Sequence, residues 1–203
     1  KNISIAMDLD GSTGFKYIRD IRSLDDFNGV WNLRINDLGD EFMISSNQMG
    51  PFPEGLQVGL VNINERKVLL NFLDHKEMIP NNKNSVYDLK VIAGDQEYVK
   101  SMSQEILSSI PEEFSLGQNY PNPFNPITQM EYSLPQRSKV VISIYNVLGQ
   151  EIKSLINEEQ DYGYHSVSWD GTDRLGKSVA SGVYFTQMRS GGFSQSKKML
   201  LLK

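Results

Sequence analysis

The 203-residue chain contains no cysteine. Thiol nucleophiles, disulfides and thiolate metal sites are thereby excluded, and the redox compartment stays open. No apolar run approaches the roughly eighteen residues that a membrane span needs. Basic residues are not in excess: 20 Lys and Arg face 25 Asp and Glu, giving a net charge of −5 and a pI near 5.1. That balance argues against nucleic acid or anionic lipid as a general partner. Histidine is scarce, with two residues. His75 stands beside Asp74 and Glu77 without a second cluster, whereas a metal site needs three or four convergent ligands. A solvated loop is the simpler reading of that stretch.

What is present suits a packed protein. Hydrophobic residues make up 39% and aromatics 10% of the chain, enough to exclude disorder. The length suits one large domain or two small ones. The N-terminal half opens with Ile3–Gly14, in which Asp8, Leu9, Asp10, Gly11 and Ser12 follow a short apolar run. An aspartate nucleophile at Asp8 with an acid/base at Asp10 would be the phosphatase reading of this stretch. That chemistry requires alternating strands and long helices behind it, and the following residues offer short strands and turns. A calcium loop fails because Gly11 falls at the fourth rather than the sixth position. A β-turn, with Asp10-Gly11 supplying the positive φ, is the preferred reading.

Period-two alternation predicts strands from there on. Val30–Ile35 places Trp31, Leu33 and Ile35 on one face. Glu41–Ser45 places Phe42 and Ile44 inward, and Leu56–Asn62 does the same with Leu56, Val58 and Leu60. Lys67–Leu73 and Val86–Ala93 complete the set. Strands every eight to twelve residues with turn residues between them predict a sandwich. Trp31, Phe42, Phe52 and Phe72 would make a sugar-stacking platform if exposed. The place of Trp31 and Phe42 on the alternating apolar face favours a core role. Gln96–Lys100 is expected to end the last strand. Residues 101–113 are expected to be a linker, since four serines disfavour a stable isolated helix despite the spacing of Val99, Met102 and Ile106. Such a segment is open to proteolysis.

The second half begins with Phe114–Pro126, FSLGQNYPNPFNP. Pro121, Pro123 and Pro126 fix their own φ and hold Asn122 and Asn125 in extended or turn conformations. Proline gives no ladder donor, which places the stretch at a sheet edge. It is expected to be a stiff lead-in strand that pins Tyr120 and Phe124 onto a β-domain. Lys139–Tyr145 is apolar on both faces and is predicted to be a central strand. Gly149 closes the following turn in a left-handed conformation. His165, Val167 and Trp169 share one face, with Trp169 the largest core residue. Asp170 and Asp173 are too few carboxylates for calcium, and an Asx-turn loop is the expectation there. Val183–Met188 is a strand, Arg189–Gly192 a hairpin turn and Phe193–Leu202 the last strand.

The series YPNPFNP, YSLP, IYNVLGQEI, GYHSVSWDGTD, SGVYFTQM and KKMLLLK closely resembles the type A C-terminal sorting domain of proteins exported by the type IX secretion system. It also resembles the related immunoglobulin-like domain of flagellar hook-capping proteins. The resemblance runs from about Phe114 to Lys203. It implies an export address without catalytic residues or cofactors. It also implies partnership with the outer-membrane translocon and with a sortase that cuts just upstream. The signal would reside in Tyr120, Pro121, Asn122, Pro123, Phe124, Asn125 and Pro126, in Gly149, in Gly182, Val183 and Tyr184, and in Lys197, Lys198 and Lys203. A terminal strand can be read by edge pairing, main chain for affinity and side chains for specificity. The three lysines would add charge recognition and suppress premature edge pairing.

The expectation is therefore an all-β chain of two immunoglobulin-like β-sandwich domains in tandem, residues 1–100 and 114–203, joined by the linker 101–113. The first is expected to be a non-catalytic accessory module. The protein is expected to reach the cell surface or medium through the periplasm and outer membrane of a Gram-negative bacterium. Since the chain opens KNISIAM, without a signal peptide, it is expected to follow upstream domains of the same polypeptide. Two other readings stay open. The first domain would be a carbohydrate-binding module if its aromatics were exposed, and the whole chain a structural capping protein if it self-assembled.

Overall fold

The computed structural model describes residues 28–34, 54–70 and 87–203 in full. Elsewhere it describes only the backbone of strands at 5–6, 8–9, 17–18, 35, 41–45 and 76–80. The chain is all-β in class, built of antiparallel strands, with a single helix among the described residues. It divides into two compact units, Lys1–Ser108 and Ser109–Lys203.

In the first unit, β1 (Ile5–Ala6) pairs with β3 (Tyr17–Ile18). A three-stranded sheet runs β2 (Asp8–Leu9), β5 (Glu41–Ser45), β8 (Lys76–Pro80). A four-stranded sheet runs β4 (Gly29–Ile35), β9 (Tyr87–Gly94), β6 (Gln57–Asn62), β7 (Lys67–Leu69). Trp31 and Leu33 are buried while Asn32 and Arg34 are exposed, as their alternation requires. Trp31 is thus a core residue and no sugar platform. Phe52, Phe72, His75 and Asp10–Ser12 lie outside the described residues. Asp8 lies in β2 opposite Ser45. β8 occupies residues for which the alternation predicted no strand.

The junction is the main correction. Residues 96–109 form one helix, α1 (Gln96–Ser109), where a strand end and a linker were expected. Asp95 caps it: Tyr98 N donates to Asp95 Oδ1 at 2.8 Å and Val99 N to Asp95 O at 3.0 Å. Val99, Ser103 and Ile106 are buried, a stripe of period i, i+4, i+7. The stripe packs on β6, where a Cβ added to Gly59 would stand 2.8 Å from Val99 Cγ1. This explains why β6 is buried on both faces, Val61 as well as Leu60, rather than on the one side its alternation predicted. Tertiary burial overrides the weak propensity of a serine-rich segment. Pro111 follows two residues beyond the helix, where its missing N–H stops propagation.

The second unit is a seven-stranded sandwich. One sheet runs β10 (Ser115–Leu116), β11 (Thr128–Leu134), β14 (Gly163–Trp169). The other runs β13 (Glu151–Gln160), β12 (Ser138–Asn146), β15 (Gly182–Ser190), β16 (Phe193–Leu201). Met130, Tyr132 and Leu134 of the first sheet share a core with Val140, Ile142, Ile144, Met188, Met199 and Leu201 of the second. β12 is central, as its two apolar faces predicted. Trp169 is 1% exposed, and its ring lies 5.6 Å from that of Phe124 and 5.1 Å from that of Tyr184. Its Nε1–H donates to Thr172 O at 2.9 Å, so its polar atom is satisfied. The β15–β16 turn is shorter than expected, since both strands extend to Gly191-Gly192.

Two outcomes test this packing. Trp169→Ala removes the residue that joins Phe124 to Tyr184 and should cost about 3–5 kcal/mol in urea unfolding. A loss below about 1 kcal/mol would show that the aromatics are not close-packed. A first-unit fragment ending at Lys100 should unfold with lower cooperativity than one ending at Ser109, because it lacks the buried Ser103 and Ile106. Equal transitions by circular dichroism would show that the part of α1 beyond Lys100 adds nothing to that unit.

Candidate functional site: the outer edge of the last strand

β16 is the edge strand of its sheet, paired with β15 in an unbroken register from Ser190↔Phe193 to Gly182↔Leu201. Alternate residues of an antiparallel edge turn their N–H and C=O outward. At Leu200 both are occupied. Its N–H donates to Asn122 Oδ1 at 2.9 Å, and its C=O accepts from Phe124 N at 3.0 Å. Leu202 N donates to Phe124 O at 2.9 Å. Lys198 O accepts from Gln118 Nε2 at 2.8 Å and from Asn122 Nδ2 at 3.3 Å. The proline-rich stretch therefore covers the edge from Lys198 to Leu202. The outward groups of Ser194 and Ser196 meet no backbone partner among the described residues.

The chemistry of this clamp follows from its prolines. Pro121, Pro123 and Pro126 have no N–H, so the segment cannot run a continuous ladder. Side-chain amides substitute. Asn119 is 2% exposed, and its Nδ2 donates to Pro121 O at 3.0 Å and to Thr128 Oγ1 at 2.9 Å. Tyr120 exchanges two main-chain bonds with Gln129 of β11, at 2.8 and 3.0 Å. The segment is thus tied to one sheet through Tyr120 and to the other through Asn122 and Phe124. Gly171 fits beneath it at φ +68°, where an added Cβ would lie 3.3 Å from Pro126 O.

The residues predicted for the signal are distributed unevenly. Asn122 and Phe124 hold β16, and Gly182, Val183 and Tyr184 pair with Leu201, Leu200 and Met199 from the other side. Phe124 is buried as expected. Tyr120 is not: it is 83% exposed, because its two main-chain bonds to β11 leave the side chain facing solvent. Pro121, Pro123, Asn125 and Pro126 lie on the exposed surface. Gly149, at φ +75°, closes the β12–β13 hairpin, where its N–H donates to Asn146 O at 3.0 Å. It has no part in the clamp. The lysines divide. Lys198 is exposed on the outward face beside Phe185, whereas Lys197 shares the inward parity of Met199 and is half-buried opposite the buried Thr186. Lys203 Nζ donates to Val179 O.

Sequence reasoning missed Gln118, Asn119, Thr128 and Gly171. Amides immediately before a donor-poor proline run were the available signal.

The Asp170–Lys177 loop is built of Asx turns. Asp170 Oδ1 accepts from Thr172 Oγ1 at 2.6 Å, Thr172 N at 3.1 Å and Lys153 Nζ at 3.2 Å. Asp173 Oδ1 accepts from Leu175 N and Lys177 N, both at 2.9 Å. Each aspartate thus has an oxygen committed to its own loop, and among the described residues no cluster of acidic and imidazole groups is suited to a metal ion. The Thr172 hydroxyl, and after it the Lys153 ammonium, holds the Asp170 carboxyl below its ordinary value of 3.8.

A family model described as the FlgD Ig-like domain matches residues 127–192. The match stops short of the proline-rich stretch at one end and of β16 at the other. No curated protein matches the chain. Among solved structures, PorZ of Porphyromonas gingivalis, described as an essential bacterial surface component of the type-IX secretion system, is 15% identical with a TM-score of 0.32. That similarity covers 56% of this chain and 14% of PorZ. FlgD from P. aeruginosa is 19% identical with a TM-score of 0.32, over 41% of this chain and 72% of that one. Dimeric latent PorU of P. gingivalis is 15% identical with a TM-score of 0.37, over 80% of this chain and 18% of PorU.

Two measurements follow. Asn122→Ala should destabilise the second unit by about 1 kcal/mol and speed hydrogen exchange at the Leu200 amide. Unchanged exchange there would show that the clamp contributes nothing at that bond. A carboxylate with a lowered pKa contributes stability that is present above its unfolded value and is lost as pH falls through its folded value. Asp170 should therefore titrate below 3.8 by NMR. Thr172→Val should raise that pKa more than Lys153→Ala does. The opposite order would make the ammonium the dominant partner.

Proposed function

We propose that the second unit is the export address of a secreted or surface protein, read by a type IX secretion apparatus, and that the first unit is a non-catalytic accessory module. The observation that carries this reading is the meeting of the YPNPFNP stretch with the LLL of the last strand. Two motifs at opposite ends of the unit close on one edge through Phe124, Asn122 and Leu200. The immunoglobulin-like match over residues 127–192 supports the scaffold between them. The parts outside that match are the two that form the edge. Reading by edge pairing would use the open main chain of Ser194 and Ser196 directly, with Lys198 beside it. Reading of Leu200 would require Phe124 to give way. The translocon and a sortase acting upstream are the proposed partners, and the cell surface or medium is the proposed destination.

The match to a hook-capping domain favours a second reading, a structural cap, which predicts self-assembly of the purified chain into a discrete oligomer. A concentration-independent monomer in sedimentation would remove that reading.

The export reading is tested by placing Ser109–Lys203 behind a signal peptide and a passive reporter in a host with a type IX apparatus. The reporter should reach the medium or surface. Deleting residues 197–203 should leave it in the periplasm, but that deletion also removes the buried Met199 and Leu201. Lys198→Glu is the cleaner variant, since exposed charge changes cost within about 0.5 kcal/mol. Lys197→Glu is less clean, as it would set a carboxylate on the inward face. A folded Lys198→Glu protein held in the periplasm supports a charge-read edge, and its normal export confines recognition to backbone and shape. Normal export of the deletion would overturn the assignment.

A further inference from the structure

A shallow depression of about 470 Å³ opens on the second unit, on the outward face of the β10–β11–β14 sheet. Its shape follows from register. Glu131 stands opposite Ser166 on β14. On its other side Gly117 N donates to Glu131 O at 2.7 Å, and a Cβ added to Gly117 would lie 3.0 Å from that oxygen. The carboxylate thus rises between a serine and a residue without a side chain. One step along, Tyr164 stands opposite Ser133 and is 74% exposed. Gln129, Ser115, Tyr132 and His165 complete the lining.

The chemistry of the lining selects a ligand class. It contains one carboxylate, no lysine or arginine, and one imidazole, His165, whose Nε2 lies 2.9 Å from Asp161 O. Phosphates, uronic acids and nucleic acid therefore find no fixed counter-charge. A single carboxylate is also too few for a divalent cation. What the surface offers is a free aromatic ring, an acceptor in Glu131, and groups that both donate and accept in Gln129 and Ser166. A sugar presents the complement: an apolar ring face, and hydroxyls that each donate and accept. Few convergent polar groups beside an aromatic wall are the usual make-up of a small-ligand site. We propose that this depression binds a neutral oligosaccharide. The site is independent of the edge of β16 and of the export reading.

The test is an amide NMR titration of the whole 203-residue protein with cellohexaose, mannohexaose and chitohexaose, and with hexagalacturonate as the anionic counterpart. At least one neutral probe should give saturable shifts at Gln129, Glu131, Tyr164 and Ser166. Tyr164→Ala should weaken binding at least about tenfold and Glu131→Gln by a few-fold. Leu148→Ala, similarly exposed but on the β12–β13 turn away from the depression, should leave binding unchanged. Tyr164 and Leu148 are both solvent-facing, so both variants should fold, and the unperturbed part of each spectrum reports it. The proposal is overturned if no neutral probe shifts these amides, if Tyr164→Ala binds as the parent does, if Leu148→Ala loses as much, or if hexagalacturonate binds as tightly.

Discussion

The second unit depends on how the main chain of its last strand is satisfied. An edge strand presents a row of unpaired donors and acceptors, and left bare it invites pairing with any other strand. Here the unit supplies its own cover over Lys198–Leu202, from a segment whose prolines prevent it from becoming a strand itself. Asn122 and Gln118 provide side-chain amides where a ladder would have used peptide groups. Phe124 provides the one full main-chain exchange and at the same time inserts its ring against Trp169. Edge protection and core packing are thus carried by the same few residues.

The cover stops at Lys198, which divides β16 into a protected half and an open half. The protected half carries Met199 and Leu201 into the core, so the cover guards the part of the strand on which the sandwich depends. The open half is polar on its outward face, with Ser194, Ser196 and Lys198 exposed. A lysine at the end of such a stretch discourages casual association without closing it to a partner of suitable charge.

Much of this was legible in the sequence where one residue dictates its own surroundings. The pattern of apolar residues gave β12, β14, β15 and β16 of the second unit, Trp169 announced itself as the core, and Asp170 and Asp173 read as Asx turns. Legibility failed where a distant element decides. α1 was hidden because its serines argue against a helix in isolation, and only β6, with Gly59 cleared for Val99, makes it stable. Tyr120 was misplaced because a tyrosine between prolines looks like an anchor, whereas its backbone does the anchoring. Lys197 and Lys198 look equivalent in a list of charges and are opposite in a strand of period two. The clamp itself was half visible: the prolines marked an edge, but which edge depended on residues 76 to 80 positions away.

That separation has a consequence for how the unit is made. Contacts between distant positions pay the loop-closure entropy of everything between them and form late. A chain that emerges from its N-terminal end can build the β12–β13 hairpin early, but Asn122 and Phe124 have nothing to hold until Lys198 and Leu200 have followed. The seam therefore reports completeness: a chain truncated before Lys198 leaves Phe124 without its partners on β16. Any receptor that recognises the closed seam would be selecting finished copies of this unit over unfinished ones.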